Sequence, residues 1–268
     1  MKPVTQIDAA TAYRHHEPGA SRVAAFFDID GTLLPRPSLE RRFVGELRDE
    51  GVIPTGNYLR WLGTAIGLAP RGVLRSIHGN KVYLRNVPVC VLSFRQITFF
   101  SNAIRRVAWH ASQGHSVILV SGTLDFLAQQ AALALTLRLA LRGVTAKIGV
   151  CATRAERLDG RYTGRIIGAA NFAEEKMIAV RRIARESGFN LARCYAYSDS
   201  ANDRWMLGAV GKPAAVNPSK ELRRIATLRY WPIFDWTSQD AIEDTTRLIT
   251  TNAEYDRPLF PGIPSENA

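Results

Sequence analysis

The chain has 268 residues, of which 46% are hydrophobic and 22% are charged. This balance excludes a wholly disordered chain, and the length suffices for one large domain with a smaller second one. Lysine and arginine number 35 against 24 aspartates and glutamates, which gives a formal net charge of +11. Such a surface attracts anions, but the charge alone does not distinguish phosphorylated small molecules from nucleic acid or lipid headgroups.

The cysteines and the apolar segments bear on the location of the protein. Cys90, Cys151 and Cys194 are widely spaced and form no CxxC pair, so neither a disulfide framework nor a zinc site is predicted. The first residues contain no apolar stretch ahead of a cleavage site, and the longer apolar runs are too short or too interrupted by charge to cross a bilayer. We therefore expect a cytoplasmic protein.

Five short apolar runs predict strands that are buried on both faces, because they do not alternate with polar residues. In chain order they are 23–29, 116–120, 146–152, 194–198 and 213–217. Helical patterns lie between or after them, at 124–142, 173–187 and 203–210. Strands that alternate with helices predict an α/β fold with a parallel sheet.

The alternation is interrupted between residues 35 and 112. Roughly 75 residues after one strand are too many for a loop within a compact domain, and their patterns are mostly helical. We expect an inserted helical cap domain at 35–112, a discontinuous catalytic core formed by 1–34 and 113–251, and a C-terminal tail at 252–268. The aromatic stretch at 83–100 either lines a pocket or forms the core of the cap.

The first predicted strand ends in two carboxylates. The sequence FFDIDGTLL sets Asp28 and Asp30 directly after an apolar run. Desolvating a charge costs on the order of several kcal/mol unless it is paired or bound to a metal. Because ligands bind at the carboxyl ends of the strands in parallel sheets, these two residues form a candidate site.

A later strand end supplies two further carboxylates. Asp199 and Asp203 follow the strand at 194–198, in the sequence SDSAND. Four carboxylates at one sheet edge would repel one another unless a hard divalent cation lay among them. Oxygen ligands of this kind favour Mg²⁺.

Two other segments carry groups suited to an anion. Ser121 and Gly122 follow the second strand and precede a helix, whose N-terminal N–H groups favour an oxyanion such as phosphate. Lys176 lies at the start of a later helix. Together with Mg²⁺ these groups predict a phosphate site, beside which a carboxylate can act as a nucleophile.

The four segments, in this order and these strand contexts, resemble the signature motifs of the haloacid dehalogenase superfamily. The helical insert directly after the first motif is similar to the phosphoserine-phosphatase-like branch (subfamily IB), and residues 153–166, TRAERLDGRYTGRI, resemble the β-hairpin region of that branch. The resemblance implies a Rossmann-like parallel sheet core with an inserted helical cap. It also implies a Mg²⁺-dependent phosphatase.

The resemblance assigns a role to each site residue. Asp28 would be the nucleophile that becomes an aspartyl phosphate, and Asp30 would protonate the leaving alcohol and then activate the hydrolytic water. The residues that would hold Mg²⁺ are Asp28, Asp30, Asp199 and Asp203. Those that would bind the phosphoryl group are Ser121, Gly122 and Lys176, and Asn202 would position Lys176 or the substrate.

The substrate is less closely defined. The enzyme after which the branch is named has an acidic residue in the cap that binds the amino group of serine. The equivalent position here falls near Pro37, and the nearest acid is Glu40. Three arginines, Arg36, Arg41 and Arg42, lie close by. We therefore do not expect specificity for phosphoserine, and favour a small phosphorylated metabolite that is anionic or bulkier. A phospholipid phosphate such as phosphatidylglycerophosphate is the alternative substrate.

Other functions use the same features. A phosphotransferase would pass the aspartyl phosphate to an acceptor alcohol, and a basic adaptor would bind nucleic acid or membrane and keep the phosphate site as a relic. The intact catalytic positions argue against the adaptor, so no nucleic-acid partner is expected. The basic surface leaves open a peripheral contact with anionic membranes, and the sequence does not define the oligomeric state.

Overall fold

The computed structural model describes residues 22–68, 80–89, 97–237 and 242–243. The predicted tail at 252–268, residues 1–21 of the predicted core and residues 90–96 of the aromatic stretch lie outside the described residues. Among the helices in the described part of the chain, none combines the length and the apolarity needed to cross a bilayer.

The described residues form ten strands and seven α-helices. The strands are β1 (Ala24–Phe27), β2 (Phe99–Phe100), β3 (Ser116–Leu124), β4 (Ile148–Thr153), β5 (Ala155–Leu158), β6 (Arg161–Ile166), β7 (Tyr195–Ser198), β8 (Lys212–Val216), β9 (Ile233–Phe234) and β10 (Ile242–Glu243). The helices are α1 (Leu39–Asp49), α2 (Thr55–Leu68), α3 (Ser101–Ser112), α4 (Asp125–Ala140), α5 (Glu174–Ser187), α6 (Arg204–Gly208) and α7 (Lys220–Leu228). Short 3₁₀ segments lie at Val82–Leu84 and Ala201–Asp203.

The centre of the fold is a six-stranded parallel sheet in the order β4-β3-β1-β7-β8-β9. All five predicted strands lie in it, and the predicted α/β class is confirmed. Phe27 of β1 is in register with Leu119 of β3 and with Tyr197 of β7. The carboxyl ends of these three neighbouring strands therefore meet at one edge of the sheet.

Strand β1 is buried on both faces, which explains its uninterrupted apolar sequence AAFF. Successive side chains of a strand point to opposite faces. Phe26 belongs to the hydrophobic cluster that contains Val180 of α5, whereas Phe27 belongs to the cluster that contains Val107 of α3. Each buried phenylalanine contributes about 1.5–3 kcal/mol to stability. The packing of β1 therefore holds in place the start of the loop that follows it.

The inserted segment begins with α1. Ser38 caps this helix by accepting a hydrogen bond from the Arg41 N–H. The helix buries Leu39, Phe43 and Leu47, which are spaced four residues apart on one face. The Phe43 ring meets Phe126 of α4 edge to face, with 5.3 Å between the ring centroids, so α1 packs directly on the core.

The remainder of the insert links to both the core and the hairpin. Asn57 of α2 donates hydrogen bonds to the carbonyls of Tyr83 and Arg85, which joins α2 to the 3₁₀ segment. Helix α3 shares its buried face with β3, through residues such as Val107 and Leu119. The division into a cap at 35–112 and a core on either side stays a prediction.

Residues 155–166 form a β-hairpin, as the resemblance implied. Strands β5 and β6 pair antiparallel through a turn at Asp159 and Gly160, whose φ angles are 49° and 72°. Two successive positive φ angles are typical of a type I′ turn, which matches the right-handed twist of paired strands. The Tyr162 N–H donates to the Val87 carbonyl, so the hairpin is hydrogen-bonded to the residues that follow the 3₁₀ segment at Val82–Leu84.

His110 of α3 lies in a buried aromatic cluster beneath the sheet. Its Nε2 lies 2.9 Å from the Tyr197 hydroxyl, and its Nδ1 lies 2.9 Å from Nδ1 of His115. Burial lowers the pKa of His110 well below its ordinary value, and the nearby charges of His115, Arg106 and Lys212 lower it further.

This environment predicts acid sensitivity. Because the pKa of His110 is lower in the folded chain than in the unfolded chain, its contribution to stability is complete above about pH 6.5 and is lost as the pH falls below that value. The slope approaches about 1.4 kcal/mol per pH unit. We expect the free energy of unfolding of a His110→Gln variant, measured with urea, to fall less steeply below about pH 6.5 than that of the wild-type protein. An unchanged slope in the variant would contradict the assignment to His110.

Candidate active site

Asp28 follows β1 and is almost fully buried, with 6% of its surface exposed. Its N–H donates to the Tyr197 carbonyl at 3.0 Å, which extends the pairing with β7 by one residue. The carboxylate accepts hydrogen bonds from Lys176 Nζ at Oδ1, at 2.6 Å, and from Thr32 Oγ1 at Oδ2, at 3.2 Å. Burial raises the pKa of Asp28, and Lys176 opposes this rise.

Lys176 connects Asp28 to a second carboxylate. It lies in the first turn of α5, is 3% exposed, and its Nζ also lies 2.7 Å from Oδ2 of Asp203. Burial alone would lower the pKa of Lys176, but the charges of Asp203 and Asp28 raise it above its ordinary value. The lysine therefore stays protonated and supplies the positive charge of the site.

Asp203 is oriented by a residue that the sequence interpretation missed. The Ser198 hydroxyl, at the end of β7, donates to Asp203 Oδ2 at 2.6 Å. Thr32 was missed in the same way. Both residues lie in the motifs that carry the aspartates. A hydroxyl group close in sequence to a carboxylate that is predicted to be buried indicates a hydrogen-bond donor to that carboxylate, and this is how the two residues could have been found.

Asp30 faces the first turn of helix α1. Its Oδ1 accepts a hydrogen bond from the Leu39 N–H at 2.7 Å. Burial raises the pKa of Asp30 to about 6, although the Leu39 hydrogen bond lowers it, and the charge of Glu40 raises it further. A carboxyl group with this pKa can hold a proton and release it near neutral pH.

Asp199 is paired with a cation from the inserted segment. Its Oδ2 lies 2.6 Å from Nη2 of Arg36. Burial raises the pKa of Asp199, whereas the hydrogen bond and charge of Arg36 lower it. Gly31 has a φ of +88°, and a Cβ at this residue would lie 2.2 Å from Asp199 Oδ2. Glycine is therefore required both by the backbone conformation and by the close approach of Asp199.

Ser121 and Gly122 lie at the carboxyl end of β3, beside the end of β1. The Ser121 Oγ accepts the Thr123 N–H at 3.2 Å, which leaves the hydroxyl proton available to an anion. Asn171, which the sequence interpretation missed, donates to the Ser121 carbonyl at 3.1 Å, and Thr153 donates to the Gly122 carbonyl at 2.9 Å. The backbone of Ser121 and Gly122 is therefore held by hydrogen bonds from Asn171 and from Thr153 at the end of β4.

Asn202 has a different setting from the other predicted residues. Its backbone N–H and its side-chain amide both donate to the Ser200 hydroxyl, at 3.3 Å. These contacts shape the turn that carries Asp203. A role for Asn202 in positioning Lys176 or the substrate stays a prediction.

The carboxylates are interleaved with cations. Within residues 22–68, 80–89, 97–237 and 242–243, no three histidine, cysteine, aspartate or glutamate side chains are arranged to hold a metal ion. Lys176 and Arg36 instead pair with the aspartates. The donors are nevertheless all oxygens, which suits Mg²⁺. The space left by Gly31 also brings Asp199 against the loop that carries Asp28 and Asp30, so these residues fit the cation.

Comparison with known proteins identifies the family. Residues 25–208 match the haloacid dehalogenase-like hydrolase family, more than half of the chain. The chain belongs to this family. The matched range runs from β1 to α6 and contains every predicted site residue, and the family resemblance found in the sequence is confirmed.

Individual relatives point to the same class of enzyme. The chain is 33% identical over 234 residues to a phosphoserine phosphatase of Mycobacterium tuberculosis, with 80% of this chain and 70% of the relative covered. It is 34% identical over 131 residues to a histidinol-phosphatase of Neisseria meningitidis, with 47% and 54% covered. A Bordetella pertussis protein of unknown function shares the fold, with a TM-score of 0.61, 29% identity, and 81% and 100% coverage. The predicted class, a phosphoric monoester hydrolase of this family, is confirmed.

The ion pairs of Lys176 predict a large effect on stability. A Lys176→Met variant leaves the buried Asp28 and Asp203 without their cation, and we expect it to lose about 3–5 kcal/mol in free energy of unfolding at neutral pH. Urea denaturation measures this loss. Lys220→Met, at an exposed position, is the matched control and should change stability by less than about 0.5 kcal/mol. Equal stability of the two variants would show that the lysine does not hold the carboxylates.

Proposed function

We propose that the protein hydrolyses phosphate monoesters of small metabolites through a phosphorylated Asp28, with Mg²⁺ as its cofactor. The setting of Asp28 carries this proposal. Its carboxylate is buried at the end of a central strand, is held by the Lys176 ammonium group, and lies in the same loop as a second acid, Asp30. A nucleophile and a proton donor from one rigid loop are the groups that phosphoryl transfer through a covalent intermediate requires.

The first half-reaction forms the intermediate. Asp28 attacks phosphorus in line, the bond from phosphorus to the alcohol oxygen breaks, and Asp30 donates its proton to the departing oxygen. Lys176, 2.6 Å from Asp28, neutralises the charge on the phosphoryl oxygens, and the Ser121 hydroxyl and Gly122 N–H donate to them. The raised pKa of Asp30 increases the fraction of this carboxyl group that is protonated before this step.

The second half-reaction releases phosphate. Asp30, now ionised, accepts a proton from water as the water oxygen attacks phosphorus. The bond from phosphorus to the Asp28 oxygen breaks, which restores the Asp28 carboxylate. The Leu39 N–H stabilises the ionised form of Asp30 and holds its carboxylate at the first turn of helix α1.

The residues that would hold Mg²⁺ are the carboxylates of Asp28, Asp199 and Asp203 and the backbone carbonyl of Asp30. When bound, the cation would offset the negative charge of the aspartates and of the phosphoryl group. The raised pKa values of Asp28 and Asp199 indicate an environment that disfavours uncompensated anions. This environment supports a cation at the cluster.

The substrate is proposed from the relatives and from the insert. The two relatives described above are named for different substrates, so they support a small phosphate monoester rather than one particular alcohol. The alcohol part would lie on the side of Asp30, because that residue protonates it. Helix α1 and the loop before it border this side through the bond between Leu39 and Asp30.

Removal of the nucleophile tests the proposal directly. We expect Asp28→Asn to lower kcat by more than about 10³-fold on every phosphate monoester that the wild-type protein hydrolyses, because the amide cannot form the intermediate. The matched control is Asp159→Asn, at an exposed turn position with positive φ that asparagine tolerates. Phosphate release is the measurement, and wild-type rates in Asp28→Asn would refute the covalent mechanism.

Metal removal gives an independent test. Treatment with a chelator should abolish phosphate release, and added Mg²⁺ should restore it. Calorimetric titration should show Mg²⁺ binding that an Asp199→Asn variant weakens by at least about tenfold, since it loses a charged ligand. Full activity after exhaustive metal removal would contradict the assignment of the aspartates to a cation.

A further inference from the structure

Arg36 lies at the entrance of the site. Its side chain is 72% exposed, yet its Nη2 reaches the buried Asp199 at 2.6 Å. The hydrogen bond and charge of Asp199 raise the pKa of Arg36, and the charges of Asp28 and Asp30 add to this effect. The guanidinium group therefore contacts both Asp199 and the solvent, and it lies within electrostatic range of Asp28 and Asp30.

The backbone that presents Arg36 is held from both sides. Pro35 and Pro37 flank the residue and restrict the backbone angles of the loop. Arg42 of α1 donates through Nε to the Pro37 carbonyl, at 2.8 Å, and through Nη2 to the Pro35 carbonyl. These restraints limit the backbone conformations of the loop. They therefore reduce the conformational entropy that the loop would lose when Arg36 binds a ligand.

Most of the donors of this guanidinium remain available. An arginine carries five N–H donors in a planar fork. Within the described ranges, the side chain of Arg36 makes one hydrogen bond, to Asp199. Because 72% of the side chain is exposed, the other donors are accessible from solvent. A guanidinium fork binds carboxylates and phosphates with two hydrogen bonds.

Glu40, an acid on this side of the site, is paired with a lysine. Glu40 lies near enough to raise the pKa of Asp30. Its Oε1 accepts hydrogen bonds from the buried Lys81 ammonium group and, at 2.6 Å, from the Tyr83 hydroxyl. The Lys81 ammonium group therefore offsets the charge of Glu40 and weakens the repulsion that this acid would exert on an anionic substrate group.

We propose that Arg36 selects phosphate monoesters whose alcohol part carries a second anionic group, a carboxylate or another phosphate. This inference rests on the proposed function and defines its substrate class. The phosphoryl group binds at Asp28, and the second anion binds the free donors of Arg36. A substrate without that anion loses the contact and leaves the guanidinium with Asp199 alone.

Two pairs of substrates that differ in one carboxylate test the proposal. O-phosphoserine is compared with O-phosphoethanolamine, and 3-phosphoglycerate with glycerol 3-phosphate, by phosphate release with Mg²⁺ present. We expect the wild-type kcat/KM to favour the carboxylate member of at least one pair by about tenfold or more, as a charge-assisted hydrogen bond provides. Arg36→Gln should bring that ratio within about threefold, and Arg36→Lys should give an intermediate ratio.

The matched control is Arg41→Gln, which removes the same charge from an exposed position of α1 and should preserve the wild-type ratio. A wild-type ratio near one in both pairs, or an unchanged ratio in Arg36→Gln, would overturn the proposal. If Arg36→Gln alters the Mg²⁺ affinity measured by calorimetry and slows both members of each pair equally, Arg36 is only a counter-ion for Asp199, and the proposal is again wrong. Failure of wild-type protein to hydrolyse any phosphate monoester would instead refute the proposed function itself.

Discussion

A buried ammonium group between two buried carboxylates is the interaction on which the site depends. Lys176 connects Asp28 after β1, Asp203 after β7 and its own helix α5, so three elements share one ion cluster. Each charge would be costly alone in this environment, whereas together they are compensated. The same contacts that compensate the buried charges also place a cation beside Asp28, the proposed nucleophile. The stability of the fold and the proposed reaction therefore depend on the same three charged groups.

The inserted segment makes hydrogen bonds to the aspartates that follow β1 and β7. The first N–H of α1 binds Asp30, and Arg36 binds Asp199, so a movement of this segment would change the surroundings of the proposed proton donor and of a proposed metal ligand together. Arg42 fastens the intervening loop to the same helix. Under the proposed mechanism, the insert would therefore influence both substrate choice and proton transfer.

Much of this arrangement was predictable from local sequence. The uniform apolar runs identified the central strands because a parallel sheet buries both faces of each strand. The aspartates stood out because charged residues directly after such runs require partners. Ser198, Thr32 and Asn171 were missed, since their role is to hold other residues in place, and hydroxyl and amide groups near a turn have many uses other than support of a site.

The sequence by itself determined the α/β class, the family and the identity of the residues at the strand ends, because these follow from periodicity and from short motifs. Only the tertiary structure decided which charges pair. Lys176 and Asp28 are 148 residues apart, and Arg36 and Asp199 are 163 apart. An ion pair depends on the distance between two side chains and on their exclusion from water. Both quantities arise when strand order and packing bring distant segments together, which is why the partner of Asp199 emerged from the fold and not from the motif.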